Sequence, residues 1–128
     1  MEKPITPVQT ERASPPGGHY SQAIRHGDVV YVSGQLGFAP GSTDPVVGSV
    51  ETQTRNCLAN VAAILEAAGS RLDKTLKMTV YVSDGALWPE VNAVYADVMG
   101  DHRPARAIVP CNTLHHGFQI EIDAIAAV

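Results

Sequence analysis

An arginine and a glutamate near the C-terminus are the side chains best suited to chemistry on a small anionic molecule. Arg106 stands near the start of one predicted strand, and Glu121 lies in a second, residues 118–125. Side chains of a strand alternate between its faces, so Glu121 and Asp123 share the polar face of the second strand. If the polar faces of both strands coincide, a guanidinium that binds a carboxylate lies beside a carboxylate that directs a water molecule.

Composition limits what kind of protein can carry this pair. The 128 residues, 45% hydrophobic and 17% charged, suit one globular domain with a real core. The net charge of -4 does not indicate nucleic-acid binding, which usually requires clustered Lys and Arg. No apolar run reaches the length of a membrane span and the N-terminus lacks a signal-peptide core, so cytoplasmic residence is expected. Cys57 and Cys111 alone indicate neither a disulfide framework nor a zinc site.

The chain divides into an arm and one domain. Residues 1–18 are rich in proline and glycine, which resist regular structure, and are interpreted as an extended N-terminal arm. Residues 19–128 form the domain. Its pattern predicts, in chain order, strands at 20–25 and 29–35, a helix at 50–68, a strand at 75–82, a second helix between Asp84 and Gly100, and the two C-terminal strands.

This order predicts an α+β fold with a mixed sheet. Helices that connect strands imply parallel pairing, whereas the N-terminal hairpin implies antiparallel pairing. Two helices can cover only one face of the sheet. The other face is expected to carry apolar groups such as Ile108 and Ile125, and Cys111 is expected to point toward the helices with Ala107 and Val109. The uncovered face is therefore predicted to pack against other copies of the chain.

Several short motifs together point to a family. They are Gly18-His19-Tyr20-Ser21-Gln22-Ala23, Val32-Ser33-Gly34-Gln35, Glu66-Ala67-Ala68-Gly69, Val91-Asn92-Ala93-Val94-Tyr95, Arg103-Pro104-Ala105-Arg106 and Ile120-Glu121-Ile122-Asp123-Ala124-Ile125-Ala126. In this combination the chain resembles the RidA family, also called YjgF, of small enamine and imine deaminases. The resemblance covers roughly residues 13–127, nearly everything after the arm.

The resemblance implies a fold, an assembly and a reaction. The fold would be chorismate-mutase-like, and three copies would form a homotrimer with active sites in clefts between subunits. The reaction would be hydrolysis of 2-aminoacrylate and related imines to 2-keto acids and ammonia. No metal or organic cofactor would be needed, and the partners would be small carboxylated imines and enamines, without nucleic acid or membrane.

The resemblance also assigns roles to residues. Arg106 matches the arginine that holds the substrate carboxylate, and Glu121 matches the glutamate that positions the attacking water. Tyr20 matches a tyrosine that lines the cleft. These three are the expected catalytic residues, and the two parallel donors of a guanidinium suit a planar carboxylate.

Four further positions are expected to bind substrate. Ser33 and Gly34 match a loop whose backbone approaches the substrate, and Asn92 matches a position that shapes the pocket. Backbone groups near Ile108 are expected to hydrogen-bond the imine nitrogen. Many family members carry cysteine at this position, so the Ile108 side chain cannot be essential to a deaminase.

Other interpretations of the same residues stay open. Arg106 could be a structural ion-pair partner of Glu121 or Asp123, and Tyr20 could pack an oligomer interface. His115 and His116 are expected to be solvated turn residues without a metal. The family's Leu-Pro turn is Leu114-His115 here, which indicates an altered cleft.

Three functions remain open at the level of sequence. The first is imine hydrolysis, including a specialised form of the aminomuconate type. The second is a trimer that binds carboxylates without turnover and serves regulation or protein protection. The third, RNA cleavage, is disfavoured by the acidic balance of the chain.

Overall fold

Two α-helices pack on a six-stranded mixed sheet in the computed structural model, which describes residues 2–128. The strands are β1 (Ile5–Val8), β2 (Ala23–His26), β3 (Val29–Leu36), β4 (Thr75–Val82), β5 (Ala105–Pro110) and β6 (Ile120–Ala127), and the helices are α1 (Val50–Ala67) and α2 (Trp88–Met99). The predicted α+β fold is therefore confirmed. Neither helix has the length and apolarity needed to cross a lipid bilayer.

Strand β1 lies inside the predicted arm. It pairs antiparallel with β2, from Ile5 opposite His26 to Val8 opposite Ala23. The expectation that proline and glycine prevent regular structure here is wrong, because β1 is an edge strand. An edge strand tolerates a proline such as Pro7, since the missing N–H can fall on the unpaired side.

Buried amides fix the segment that follows β1. Gln22 accepts a hydrogen bond from the Thr10 backbone at 2.8 Å and donates to the Ser14 carbonyl at 2.9 Å. Asn60 of α1 accepts from the Ser14 backbone at 3.0 Å and donates to the Phe38 carbonyl at 2.8 Å. Both amide side chains are almost fully buried. The segment is thereby tied to the domain.

Helix α1 begins and ends as the sequence predicts, whereas α2 ends before Gly100 as predicted but begins at Trp88, later than a cap at Asp84 would place it. The Ser49 hydroxyl caps α1 by accepting a hydrogen bond from the Thr52 N–H, and Gly69 takes the left-handed conformation just after the helix, at φ 85°. Asp84 caps a short 3-10 turn that leads into α2, and Pro89 lies in the first turn of the helix. The Ser49 cap therefore sets where α1 starts, whereas Leu87 before α2 makes no side-chain capping hydrogen bond.

The order of strands in the sheet is β1-β2-β3-β6-β4-β5. The predicted hairpin is present as antiparallel β2 and β3, and β4 and β5 are parallel across α2. The predicted parallel pairing across α1 is wrong, because β6 lies between β3 and β4 and is antiparallel to both. The C-terminal strand thus fills the centre of the sheet.

Strand β5 presents its faces in the opposite sense from the prediction. Arg106 is paired with Met78 and Ile108 with Val80, and both partners are fully buried. Because paired residues share a face, Arg106 and Ile108 lie on the helix side of the sheet. Ile108 packs against the main hydrophobic core there. It therefore does not contribute to the uncovered face.

The alternate residues of β5 lie on the face without helices. Ala107 is paired with Thr79 and Val109 with Tyr81. The expectation that Ala107, Val109 and Cys111 point toward the helices is consequently wrong. The uncovered face still carries apolar groups. Val109 is 36% exposed, and Ile125 shares this face with its paired residue Tyr31, which is 49% exposed.

Candidate functional site

A cavity of about 720 Å³ lies over Glu121 and is called the Glu121 cavity below. Tyr20, Ser33 and Gly34 line it together with Glu121, so the structure brings four predicted site residues to one place. The rest of its wall comes from residues 14–18, 35, 36, 38, 42, 43, 115 and 116. The buried amides that fix the segment after β1 therefore also shape this cavity.

The Ser33-Gly34 loop lies directly against the Glu121 carboxyl group. The register between β3 and β6 shifts at this loop, between Val32 and Gln35. The Ser33 hydroxyl donates to the Ser21 carbonyl at 2.7 Å, which holds the loop in place. A Cβ atom at Gly34 would come within 2.9 Å of the Glu121 Cδ atom. Only glycine allows the backbone to approach the carboxyl group so closely.

We expect Gly34→Ala to lower turnover while the fold is kept. The added methyl must push the Glu121 carboxyl group aside, because the clash is with the end of a flexible side chain. A displacement of about 1 Å can cost on the order of a hundredfold in rate. Gly85→Ala is the control, since its Cβ would meet Pro110 at an ordinary 3.7 Å. Equal turnover in both variants would show that the Glu121 position is unimportant.

Burial and neighbouring charges shift the acidity of Glu121. Burial raises the pKa of the Glu121 carboxyl group, His115 lowers it, and Asp123 raises it. Among residues 2–128, no hydrogen bond contributes to this shift. A carboxyl group with a raised pKa and no fixed donor is suited to accept a proton from a water molecule near neutral pH.

Tyr20 completes this side of the cavity. Its hydroxyl oxygen accepts a hydrogen bond from the Gly17 backbone at 3.1 Å, and the side chain is half exposed. The hydroxyl proton is left to donate to a ligand. Tyr20 is thus placed as a polar group of the cavity wall.

Arg106 stands in a separate group of residues, the Arg106 cluster, made with Trp88, Asn92 and Tyr95 of α2. The guanidinium carbon lies 4.6 Å from the centroid of the Trp88 ring and 4.8 Å from that of Tyr95. One guanidinium nitrogen donates to the Asn92 Oδ1 atom at 3.1 Å. Burial raises the pKa of Tyr95, and the positive charge of Arg106 opposes that shift. The guanidinium is held by aromatic rings and one amide.

Within residues 2–128, Arg106 forms no ion pair. The ion pairs there belong to Arg12, Arg55 and Arg71. The interpretation of Arg106 as an ion-pair partner of Glu121 or Asp123 is therefore wrong for the single chain. Since a guanidinium has five donors and Asn92 takes one, enough donors remain for a bidentate grip on a carboxylate.

The structure does not bring Arg106 and Glu121 together within one chain. Ile120 and Ile122 are fully buried, so Glu121 between them faces away from the helices, whereas Arg106 faces toward them. Strand β4 also separates their two strands. The condition that the polar faces of the two strands coincide is therefore not met, and the predicted residues form two groups.

Sequence reasoning missed part of each group. Trp88, Asn92 and Tyr95 are four and three residues apart, and residues at these spacings are neighbours on the surface of a helix. The sequence could therefore have shown that the three side chains lie on one face of α2. His115 and His116 also line the Glu121 cavity, although both are exposed, as expected of turn residues. No periodic signal points to them. Among residues 2–128, no three side chains are grouped to hold a metal ion.

The chain is similar to known proteins over most of its length. The model of the family described as Endoribonuclease L-PSP matches residues 10–128. A RutC family protein of Pyrococcus horikoshii is 43% identical over 119 residues, which is 93% of this chain and 94% of that protein.

Solved structures resemble the chain closely as well. RidA from a Psychrobacter species is 34% identical, with a TM-score of 0.91 over 96% of this chain and 99% of that one. Escherichia coli TdcF, solved with bound serine, is 32% identical, with a TM-score of 0.90 over 96% and 98% of the two chains. By the matched family model and these likenesses, the chain belongs to the RidA family, also named YjgF, RutC and L-PSP.

Proposed function

We propose that the protein hydrolyses small carboxylated enamines and imines of the 2-aminoacrylate type to 2-keto acids and ammonia. The observation that carries the proposal is the presence of two complementary groups of residues. One is a guanidinium with donors to spare, and the other is a carboxyl group of raised pKa beside a cavity. The first suits a substrate carboxylate, and the second suits a water molecule.

Two copies of the chain are needed to complete such a site. Arg106 and Glu121 face opposite sides of the sheet, so one substrate molecule cannot touch both in a single chain. The uncovered face carries exposed apolar groups, including Tyr31 and Val109, that a second copy would bury. We therefore propose a homotrimer with each site in a cleft between subunits, with the Arg106 cluster of one copy facing the Glu121 cavity of the next.

In this arrangement each residue has one task. Arg106 binds the substrate carboxylate, and Asn92 and the rings of α2 hold the guanidinium flat. Ile108 lies two residues further along the same face of β5, so the backbone beside it can hydrogen-bond the imine nitrogen. The hydroxyl of Tyr20 and the Ser33-Gly34 backbone orient the reacting carbon.

Glu121 provides the chemistry of the water molecule. Its carboxylate takes a proton as the water oxygen bonds to the imine carbon and the electron pair of the C=N bond moves to nitrogen. Both protons of the added water reach the nitrogen as the carbonyl forms, and ammonia leaves with the electron pair of the C–N bond.

The relatives add chemical support for the substrate class. Escherichia coli TdcF was solved with bound serine, a small molecule with a carboxylate and an adjacent amine. An imine of a 2-keto acid has a carboxylate and a nitrogen in the same relation. We accordingly place small imino acids first, and an aminomuconate-type substrate is a specialised form of the same proposal. Cytoplasmic residence belongs to the proposal as well.

Turnover of imines made in situ tests the proposal. An amino-acid oxidase supplies imines of increasing side-chain size, a lyase supplies 2-aminoacrylate, and ammonia release is followed with and without the protein. We expect faster release for at least one imine. Saturable binding of keto acids without faster release would favour the carboxylate-binding trimer instead. Cleavage of RNA without imine hydrolysis would reject both.

A further inference from the structure

The turn at residues 114–117 adds two imidazoles to the Glu121 cavity. His115 and His116 both line it. The titratable side chains that face this cavity are then Tyr20, His115, His116 and Glu121, with Asp123 acting on Glu121 from the next polar position of β6. The proposed mechanism uses Glu121 and Tyr20, and leaves the imidazoles without a task.

His116 is occupied in shaping the turn. It takes the left-handed conformation, with φ 62° and ψ 14°, which histidine adopts more readily than most residues. Its ring packs edge-on against Phe38, with centroids 5.5 Å apart, and lies 6.4 Å from the buried Phe118 ring. These contacts anchor the turn to the aromatic wall of the cavity.

His115 is left as the imidazole available for chemistry. Its ring centroid is 6.3 Å from that of His116, both His115 and Glu121 line the cavity, and the charge of His115 lowers the pKa of the Glu121 carboxyl group. Histidine is the side chain whose charge ordinarily changes between pH 5 and 8, so it exchanges protons readily near neutrality. A carboxylate and an imidazole that line one cavity can act as base and acid when water adds to a C=N bond. The carboxylate takes a proton from the water, and the imidazolium gives a proton to the nitrogen.

We propose that His115 is the second proton-transfer group of the site and works as the acid partner of Glu121. The inference rests on the proposed imine hydrolysis. As Glu121 takes one proton from the attacking water, the imidazolium of His115 gives a proton to the imine nitrogen, and a carbinolamine forms. Glu121 then passes its proton to the nitrogen, the C–N bond breaks with its electron pair on ammonia, and the carbinolamine hydroxyl returns a proton to His115. Both groups end in their starting states.

This proposal predicts a bell-shaped dependence of kcat on pH. Activity falls toward low pH because Glu121 must be ionised, and its raised pKa brings that loss closer to neutrality. Activity falls toward high pH because His115 must be protonated. In His115→Gln the alkaline loss should disappear. The acid loss should move to higher pH, because the imidazolium that lowers the pKa of Glu121 is gone.

The test compares kcat and KM of the wild type, His115→Gln and His115→Asn between pH 5 and 9. We expect kcat to fall roughly a hundredfold or more with little change in KM. Free imidazole added to His115→Ala should restore part of the rate. His26→Gln is the control, because His26 is exposed at the end of β2 and outside the cavity.

The outcomes separate this inference from the proposed function. If the wild type does not accelerate ammonia release from any imine, the proposed function fails and the role of His115 fails with it. If the wild type is active, unchanged kcat and an unchanged pH profile in both folded substitution variants would overturn the role of His115 alone. A higher KM without a change in the pH profile would also overturn it, because it would mark a binding contact.

Discussion

Arg106→Ala should lower kcat/KM for imine hydrolysis by roughly a hundredfold or more. In the proposed mechanism the lost contact is a charge-assisted, bidentate pair of hydrogen bonds to the substrate carboxylate. We take on the order of 3 kcal/mol for it, and about 1.4 kcal/mol corresponds to a factor of ten. Arg106→Lys should recover only part of the loss, because an ammonium cannot present two parallel donors. Steady-state kinetics with an imine made in situ measures both variants.

Stability should change far less than activity in Arg106→Ala. The guanidinium lies over the Trp88 and Tyr95 rings, and such exposed contacts are worth about 0.5–1 kcal/mol each. Arg71→Ala is the matched control, because it removes an arginine from an exposed ion pair with Asp73. A folded, fully active Arg106→Ala protein would refute the role in substrate binding. A large drop in Tm with unchanged specific activity would assign Arg106 a structural role.

The helices and the hairpin were predictable because their signals are local. Ser49 and Gly69 delimit α1, and the apolar spacing between them is helical. The position of β6 in the sheet was not predictable, because the sequence carries no local signal that tells which strands a C-terminal strand will pair with. Its place between β3 and β4 depends on contacts far apart in the chain.

The faces of β5 were mispredicted for a physical reason. Ala107, Ile108 and Val109 are three apolar residues in a row, so alternation cannot tell which of them faces the core. Pairing with β4 decides it, since Ile108 lies beside the buried Val80. The side on which Arg106 lies follows from that pairing.

The Glu121 cavity was partly predictable. The resemblance to the family identified Tyr20, Ser33 and Gly34, and the close approach of Gly34 to Glu121 gives a steric reason for glycine at that position. His115 and His116 could not be placed, because neighbouring residues in a turn carry no periodicity. Their place in the cavity follows from the left-handed conformation of His116 and from its contacts with Phe38.

The separation of Arg106 and Glu121 leads to a prediction about mixed oligomers. Arg106→Ala and Glu121→Gln should each be nearly inactive alone, since loss of a general base costs roughly 100- to 10,000-fold. Each variant still carries the half-site that the other lacks. If sites form between copies, a mixed oligomer holds some intact pairs of Arg106 and Glu121, whereas sites built within one chain would all remain defective.

Co-expression of the two variants with different affinity tags, followed by purification on both tags, isolates the mixed oligomers. A mixed cyclic trimer contains two copies of one variant and one copy of the other, and with directional interfaces either composition has one intact site of three. About one third of wild-type activity should therefore return. A mixed dimer would have one intact site of two and give about one half. The matched control pairs Arg106→Ala with the double variant Arg106→Ala/Glu121→Gln, which has no intact Arg106 in any copy and should stay inactive. Mixed oligomers no more active than this control would reject a site shared between copies, because the two half-sites would then meet in one oligomer without producing catalysis.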